Sequence, residues 1–280
     1  MKVLVTGTSG RIGDAVAKRI AEEAEVFGLD LTPGPRTTHV GDIRNEKLLA
    51  RALVGVDAVV HLAALHAPHV GIRSAREFEQ VNVEATRLLI EHSLRAEVQR
   101  FVLTSTTSVY GCTTRAQDSA VWVTEELEPN PEDLYDATKL KAESLCLGAA
   151  AKGMTTIVIR MSRCFPEPEH LLAFYRLYRG VDIRDVAEGH YLSLVTPLNG
   201  FEIINLSAQS PFEEDDCNLL WRDPWMLIHR RFPTAKARFE KQGWPIPQRI
   251  DRVYVIEKAI MLLGYTPRFN FDVFLHETYA

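Results

Sequence analysis

Cysteine is scarce: Cys112, Cys146, Cys164 and Cys217 are the only four in 280 residues, and no two of them form a C-x-x-C pair. A disulfide framework and a cysteine zinc site are excluded, no metal is expected, and free thiols in a reducing compartment are predicted. The net charge is −5 with no basic tract, so nucleic acid and anionic membrane are not expected partners. No apolar run reaches spanning length and no charged leader precedes the first strand signal at Lys2, which predicts a cytoplasmic location. Repeats and low-complexity segments are also missing. The 46% hydrophobic content is enough for a large core, as one big domain or a domain plus a lobe.

What is present begins at the N-terminus. Lys2-Val3-Leu4-Val5-Thr6 is an apolar β-branched run that enters a turn with Gly7, Gly10 and Gly13, and an amphipathic segment, Arg11 to Glu22, leaves it. This reads as strand, tight turn, helix. A side chain at Gly7 or Gly10 would stop the backbone closing on a pyrophosphate, and one at Gly13 would push the helix off the sheet. Free N–H groups and the positive helix end would meet the phosphates. The next strand, Glu25 to Asp30, ends in an acid roughly 20 residues after the glycines, where a carboxylate accepts hydrogen bonds from a ribose diol. Asp30 argues for NAD over NADP by repelling a 2′-phosphate, although Arg36 nearby leaves NADP open.

A short strand, Thr37 to Val40, leads to Asp42 and Ile43; Asp42 either meets an adenine amino group or caps the helix Asn45 to Leu53. Val56 to Ala64 is a buried strand ending in the small turn Leu62-Ala63-Ala64, which lets backbone approach a ligand, with His61 as a core residue. The loop Leu65 to Ser74 carries His66, His69 and Arg73 and either lines a substrate pocket or is solvated. In the helix Ala75 to Leu94, Asn82 sits among apolar neighbours and needs partners for its amide. Strand Arg100 to Ser105 runs into Thr106-Thr107-Ser108-Val109-Tyr110-Gly111, a stock of hydroxyls at a strand end.

Ala116 to Glu132 reads as loop and delivers the chain to a helix from Leu134 to about Ala151. Tyr135 and Lys139 lie four apart and share a helical face. A nearby ammonium favours the phenolate and lowers the tyrosine pKa, making a usable general base.

The order Gly7, Gly10, Gly13, Asp30, Leu62-Ala63-Ala64, Asn82, Ser105 to Gly111, Tyr135-x-x-x-Lys139 resembles the extended short-chain dehydrogenase/reductase family of NAD-dependent sugar epimerases and dehydratases. The resemblance implies NAD as cofactor, Tyr135 as acid/base and Lys139 as the residue holding the nicotinamide ribose. Thr106 takes the place of the hydroxyl that polarises the reacting carbonyl, with Ser105 second. It implies cofactor contacts at Ser9, Arg11, Ile12, Thr104, Ser105, Asn82 and Cys164 beside the glycines, Asp30, Asp42, Ile43 and the Leu62 to Ala64 turn. His66, Thr106, Thr107 and Arg163 then face the substrate. The family often packs helices 75–94 and 134–151 across a homodimer.

Thr155 to Arg160 reads as the next strand, and Arg160 to Pro168 is similar to the Arg-x-x-x-Cys-x-Pro-Glu-Pro loop of uronate dehydrogenases, which oxidise sugar acids. In those enzymes a downstream arginine binds the substrate carboxylate; Arg176 or Arg179 takes that place, or both are surface residues. This chain departs from them in having Thr106-Thr107-Ser108 where they have Ser-Asn-His. Only about seventeen residues separate Cys164 from Val181, where the family starts another helix, and that brevity suggests a small substrate. Phe201 to Leu206 reads as a strand, and Pro211 to Ala280 as a small lobe whose last helix stops at Gly264.

The expected fold is α/β, a Rossmann-type doubly wound parallel sheet with a small C-terminal substrate lobe. Residues 1–165 form the NAD-binding domain, and 166–280 complete the sheet and form the lobe. The expected function is oxidoreduction of a sugar or sugar acid. A sugar or nucleotide-sugar epimerase or dehydratase is the alternative, and a non-catalytic NAD-binding sensor a second one.

Overall fold

Val3 and Val5 pack into one apolar cluster and Leu4 into another, all three fully buried, so the first strand requires cover on both faces. A computed structural model, describing residues 1–115 and 118–276, shows how that cover is built. The strands are β1 (Lys2–Thr6), β2 (Glu25–Asp30), β3 (His39–Val40), β4 (Ala58–His61), β5 (Arg100–Thr106), β6 (Val121–Val123), β7 (Thr155–Met161), β8 (Phe201–Leu206) and β9 (Arg252–Tyr254). Seven of them form one parallel sheet in the order β3-β2-β1-β4-β5-β7-β8.

The helices are α1 (Arg11–Ile20), α2 (Glu46–Ala52), α3 (Ala75–Phe78), α4 (Ala85–Arg95), α5 (Leu134–Ala150), α6 (Glu169–Arg176), α7 (Ile183–Val195), α8 (Cys217–Arg222), α9 (Pro224–Arg231), α10 (Ala235–Gln242) and α11 (Glu257–Leu263). One sheet face is covered by α1, α7 and α11 through residues such as Val16, Val186 and Leu263. The other is covered by α2, α4 and α5 through Leu49, Leu89 and Cys146. This is the doubly wound arrangement, and strand order reverses between β1 and β4, opening a crevice at their carboxyl ends.

The structure departs from the sequence reading in three places. The helix expected over 75–94 is interrupted: α3 passes through a π-helical segment, Glu79–Glu84, before α4 begins. The loop expected over 116–132 contains β6, where Val121-Trp122-Val123 pairs in parallel with β9. Residues 116 and 117, at the start of that stretch, and 277–280, at the end of the expected lobe, lie outside the described residues. Third, the apolar cluster of the C-terminal lobe is not built from residue 211 onward alone. It takes Ala120 from the β6 stretch and Ala173 and Leu177 from the α6 region, packed with Phe212, Phe239, Phe271 and Phe274. Gly264 ends α11 in the left-handed conformation, with φ 65°, as expected of a helix stop.

Candidate active site

A cleft of about 1050 Å³ runs along the carboxyl ends of β1, β4, β5 and β7 and reaches β9 of the lobe. At its cofactor end the glycine turn has a specific tightness. Gly7 has φ +81°, and a Cβ there would stand 2.9 Å from the Ala63 nitrogen. Gly10 has φ −78° and a 3.3 Å approach to the Gly7 carbonyl and lines the cleft, so contacts within the protein itself bar a side chain at Gly7 and Gly13, while the backbone at Gly10 accepts one. Ser9, Arg11 and Ile12 line the cleft beside them, and Arg11 donates to the Cys164 carbonyl, joining the turn to the loop after β7.

Asp30 lines the cleft and accepts the Ser9 N–H at 3.0 Å and the Thr32 N–H at 3.0 Å, leaving carboxylate lone pairs for a diol. Arg36, the cation that left NADP open, is engaged by Asp14 at 2.5 Å. Asp42 and Ile43 also line the cleft; Asn45, accepting the Leu48 N–H at 3.1 Å, is the cap of α2, so Asp42 does not cap that helix. The hydrogen bond from Arg44 holds the Asp42 carboxyl below its usual range. Leu62, Ala63 and Ala64 form the opposite wall. The cradle without side chains, the acid on β2 and the size of the cleft fit a dinucleotide.

Two expected cofactor contacts are redirected. Asn82 is 2% exposed and lies off the cleft wall. Its amide accepts from Leu65 N and donates to Leu65 O, both at 2.8 Å, and donates to Thr138 at 3.0 Å. It braces the loop after β4, and the π-helical turn is what aims it there. Ser105 borders the cleft, but its hydroxyl donates to Glu143 at 2.5 Å. Thr104 lines the cleft with its hydroxyl 2.8 Å from His190 Nε2.

At the reacting end, Asp133 caps α5 by accepting the Asp136 N–H at 2.9 Å, which fixes the first turn. Tyr135, Lys139 and Glu143 follow at successive turns. Thr106, the last residue of β5, lines the cleft together with Tyr135. The expectation that Lys139 lowers the tyrosine pKa is not met. Burial raises it, the Thr106 hydroxyl is the group favouring the phenolate, and Asp136 and Asp133 oppose ionisation further. Lys139 itself is 4% exposed, and burial pulls its pKa down to about 8 against the charge of Glu143. Glu143 pairs with Arg160 at 2.7 Å, both side chains being 3% exposed.

Of the expected substrate residues, His66, Thr106, Thr107 and Arg163 line the cleft, with Arg163 paired to Glu167 and lying over the Phe165 ring. Burial lowers the His66 pKa, with His69 stacked on it at 4.4 Å adding to the effect. Arg176 does not reach the cleft. It is 4% exposed, bound to Asp182 at 2.9 Å and to the Phe269 carbonyl at 3.0 Å, and holds α6 to α7 and the chain end. Arg179, just past α6, lines the cleft instead, lies over the Tyr175 ring, and has a buried Nε without a hydrogen-bond partner. Sequence reasoning missed Ser108, Asp136, Arg252 and Tyr254 as cleft residues. The place of Asp136 directly after Tyr135 was the available signal; nothing local marks β9.

Fold and cleft together define an α/β protein of the dinucleotide-binding class, with Tyr135, Lys139 and Thr106 lining the same cleft as the glycine turn. Residues 3–171 match the NAD dependent epimerase/dehydratase family, and the chain belongs to that family, whose cofactor is NAD. It is 30% identical over 318 aligned residues to UDP-glucose 4-epimerase of Streptomyces lividans, covering 91% of this chain and 94% of that protein. It is 36% identical over 175 residues to a 3-beta-hydroxysteroid dehydrogenase of Mycolicibacterium neoaurum, covering 58% of this chain and 47% of the relative. Across the first such curated relatives, the match spans about half of their length. Among solved structures, DesIV, a dTDP-glucose 4,6-dehydratase of Streptomyces venezuelae with NAD bound, superposes with a TM-score of 0.70 at 26% identity, covering 98% of this chain and 94% of that one.

Proposed function

We propose that the chain oxidises a hydroxyl of a sugar or sugar acid, with Tyr135 as general base and Thr106 as the hydroxyl that steadies the reacting oxygen. The observation that carries this is that Tyr135, Thr106 and, one helical turn on from the tyrosine, the buried Lys139 all line the same cleft. Gly7, Gly13, Asp30 and Lys139 would hold NAD, which supplies the two-electron acceptor when bound. Tyr135 takes the hydroxyl proton, Thr106 donates to the oxygen that becomes a carbonyl, and Arg179 offers a guanidinium to an anionic substituent. The Arg160 to Pro168 pattern supports a sugar acid of the uronate type.

A second reading, epimerisation of a sugar nucleotide with no net change in NAD, is favoured by the nearly full-length likeness to UDP-glucose 4-epimerase. Nicotinamide absorbance on mixing protein and NAD with hexuronic acids, neutral sugars and nucleotide sugars separates the two. Steady NADH formation supports the dehydrogenase, and product epimers without NADH support the second reading. Tyr135→Phe should lower turnover by about a thousandfold while sparing NAD binding; unchanged turnover overturns the mechanism. A homodimer across α4 and α5 and a cytoplasmic location belong to the same proposal, the first tested by light scattering of the purified protein.

A further inference from the structure

Thr6 ends β1 and His61 ends β4, and the two are partners in the sheet register. Both are buried, as is Thr86 of α4. The imidazole stands between the two hydroxyls, with Nδ1 2.7 Å from Thr6 Oγ1 and Nε2 2.9 Å from Thr86 Oγ1. Each proton in this row has one place. Thr86 gives its single hydroxyl proton to the Asn82 carbonyl at 2.7 Å, so toward the ring its oxygen can only accept, and Nε2 carries the hydrogen. Nδ1 of the neutral ring is then an acceptor, and it takes the Thr6 O–H. With its proton turned to the ring, the Thr6 oxygen offers its lone pairs to the N–H groups of Leu62 and Ala63, each at 3.2 Å. The Leu62 N–H is shared with the Thr6 carbonyl at 3.3 Å, whereas the Ala63 N–H goes to the hydroxyl oxygen.

We propose that His61 is a positioning residue for NAD: held in its neutral Nε2–H form, it orients the Thr6 hydroxyl so that this oxygen pins the Leu62–Ala63 wall of the cofactor cleft. Leu62 and Ala63 line that cleft, and the Ala63 backbone lies against the glycine turn, since a Cβ on Gly7 would stand 2.9 Å from the Ala63 nitrogen. A shift of this wall therefore changes the width of the slot the dinucleotide enters. The same loop is fixed at its far end by Asn82, which holds both the N–H and the carbonyl of Leu65. Thr86 follows Asn82 by one helical turn and takes the Asn82 carbonyl, so both anchors rest on the π-helical segment and the start of α4. The wall serves NAD in either proposed reaction, so the positioning does not depend on which one the cleft performs.

A charged imidazole would undo this order. Both ring nitrogens would donate, the Thr6 oxygen would face a third donor beside the two amides, and its own proton would lose its acceptor. The surroundings oppose that charge as well. The ring lies edge-on to Phe101 with centroids 6.0 Å apart, and burial, aided by the nearby Lys139 ammonium, pulls its pKa down to about 3.

The test has two arms. In the first, ¹⁵N NMR of wild-type protein labelled in its histidine rings is followed from about pH 5 to 8, the His61 signals being those lost in His61→Leu. The expected spectrum is a neutral ring with its hydrogen on Nε2 throughout; hydrogen on Nδ1, or an imidazolium forming in that range, overturns the proposal. In the second, NADH fluorescence titration compares His61→Leu with His61→Asn. Both variants leave Thr86 without the imidazole, but the asparagine amide oxygen stands on the same carbon as Nδ1 and can still accept from Thr6. His61→Leu should bind NADH about tenfold more weakly than wild type, and His61→Asn should recover binding to within about threefold. Equal losses in the two variants, or no loss in His61→Leu, would reduce His61 to packing and overturn the positioning role. Neither arm reads turnover, so an active Tyr135→Phe protein would overturn the proposed function separately from this result.

Discussion

Gly13 packs against Gly7 so closely that a Cβ on Gly13 would stand 1.9 Å from the Gly7 carbonyl oxygen. The contact seats the start of α1 on the turn that follows β1, and it holds the N-terminal N–H groups of the helix at the mouth of the cleft.

Gly13→Ala should therefore weaken NAD binding by at least about tenfold, roughly 1.4 kcal/mol, because the helix must move off the turn. Gly10→Ala, with its Cβ at 3.3 Å from the same oxygen, should leave folding stability within about 0.5 kcal/mol of wild type. Fluorescence titration with NADH measures the first and urea unfolding the second; unchanged NADH binding in Gly13→Ala would show that the close contact does not set the turn.

The buried Glu143–Arg160 pair yields a stability prediction. Glu143→Ala leaves a guanidinium buried without its carboxylate and should cost about 3–5 kcal/mol in urea unfolding, whereas Glu143→Leu combined with Arg160→Met should cost much less.

Lys139 yields a pH dependence. Its folded pKa is lowered from 10.5 to about 8 by burial, so between about pH 8 and 10.5 the unfolded chain holds a proton that the folded chain has released. Stability then rises with pH across that window, by on the order of 3 kcal/mol. Comparing urea unfolding of wild type and Lys139→Met at the two ends isolates the effect, and parallel curves would contradict it.

Arg176 and Arg179 should separate cleanly. Arg176→Ala removes one of the two guanidiniums on Asp182, Arg184 keeping its own, and the hydrogen bond to the Phe269 carbonyl, and should destabilise by about 1–3 kcal/mol. Arg179→Ala removes a cleft-lining group and should raise KM for an anionic substrate about tenfold with stability nearly unchanged. Thermal unfolding and steady-state kinetics on the two variants check this.

The glycine turn, Asp30 and the Tyr135/Lys139 spacing were legible because each is a local pattern: a turn needs its glycines within a few residues, and one helix face repeats every turn. The alternation of Val3, Leu4 and Val5 between two apolar clusters likewise follows from the strand period, so the doubly wound class was open to sequence reasoning. The uses of Ser105, Arg176 and Asn82 were not. Each is a polar residue of the right type near the right place, and its role depends on which partner, Glu143, Asp182 or Leu65, lies within reach after folding.

By itself the amino-acid sequence determined the sheet, its helices and the residue types that meet a dinucleotide, because backbone preferences and periodic burial act over neighbouring residues. Only the tertiary structure decided that β6 and β9 pair across more than a hundred residues, that Arg179 rather than Arg176 reaches the cleft, and that Asn82 braces the loop after β4. Those relations are set by packing between distant segments, where position in the chain carries no information about distance in space.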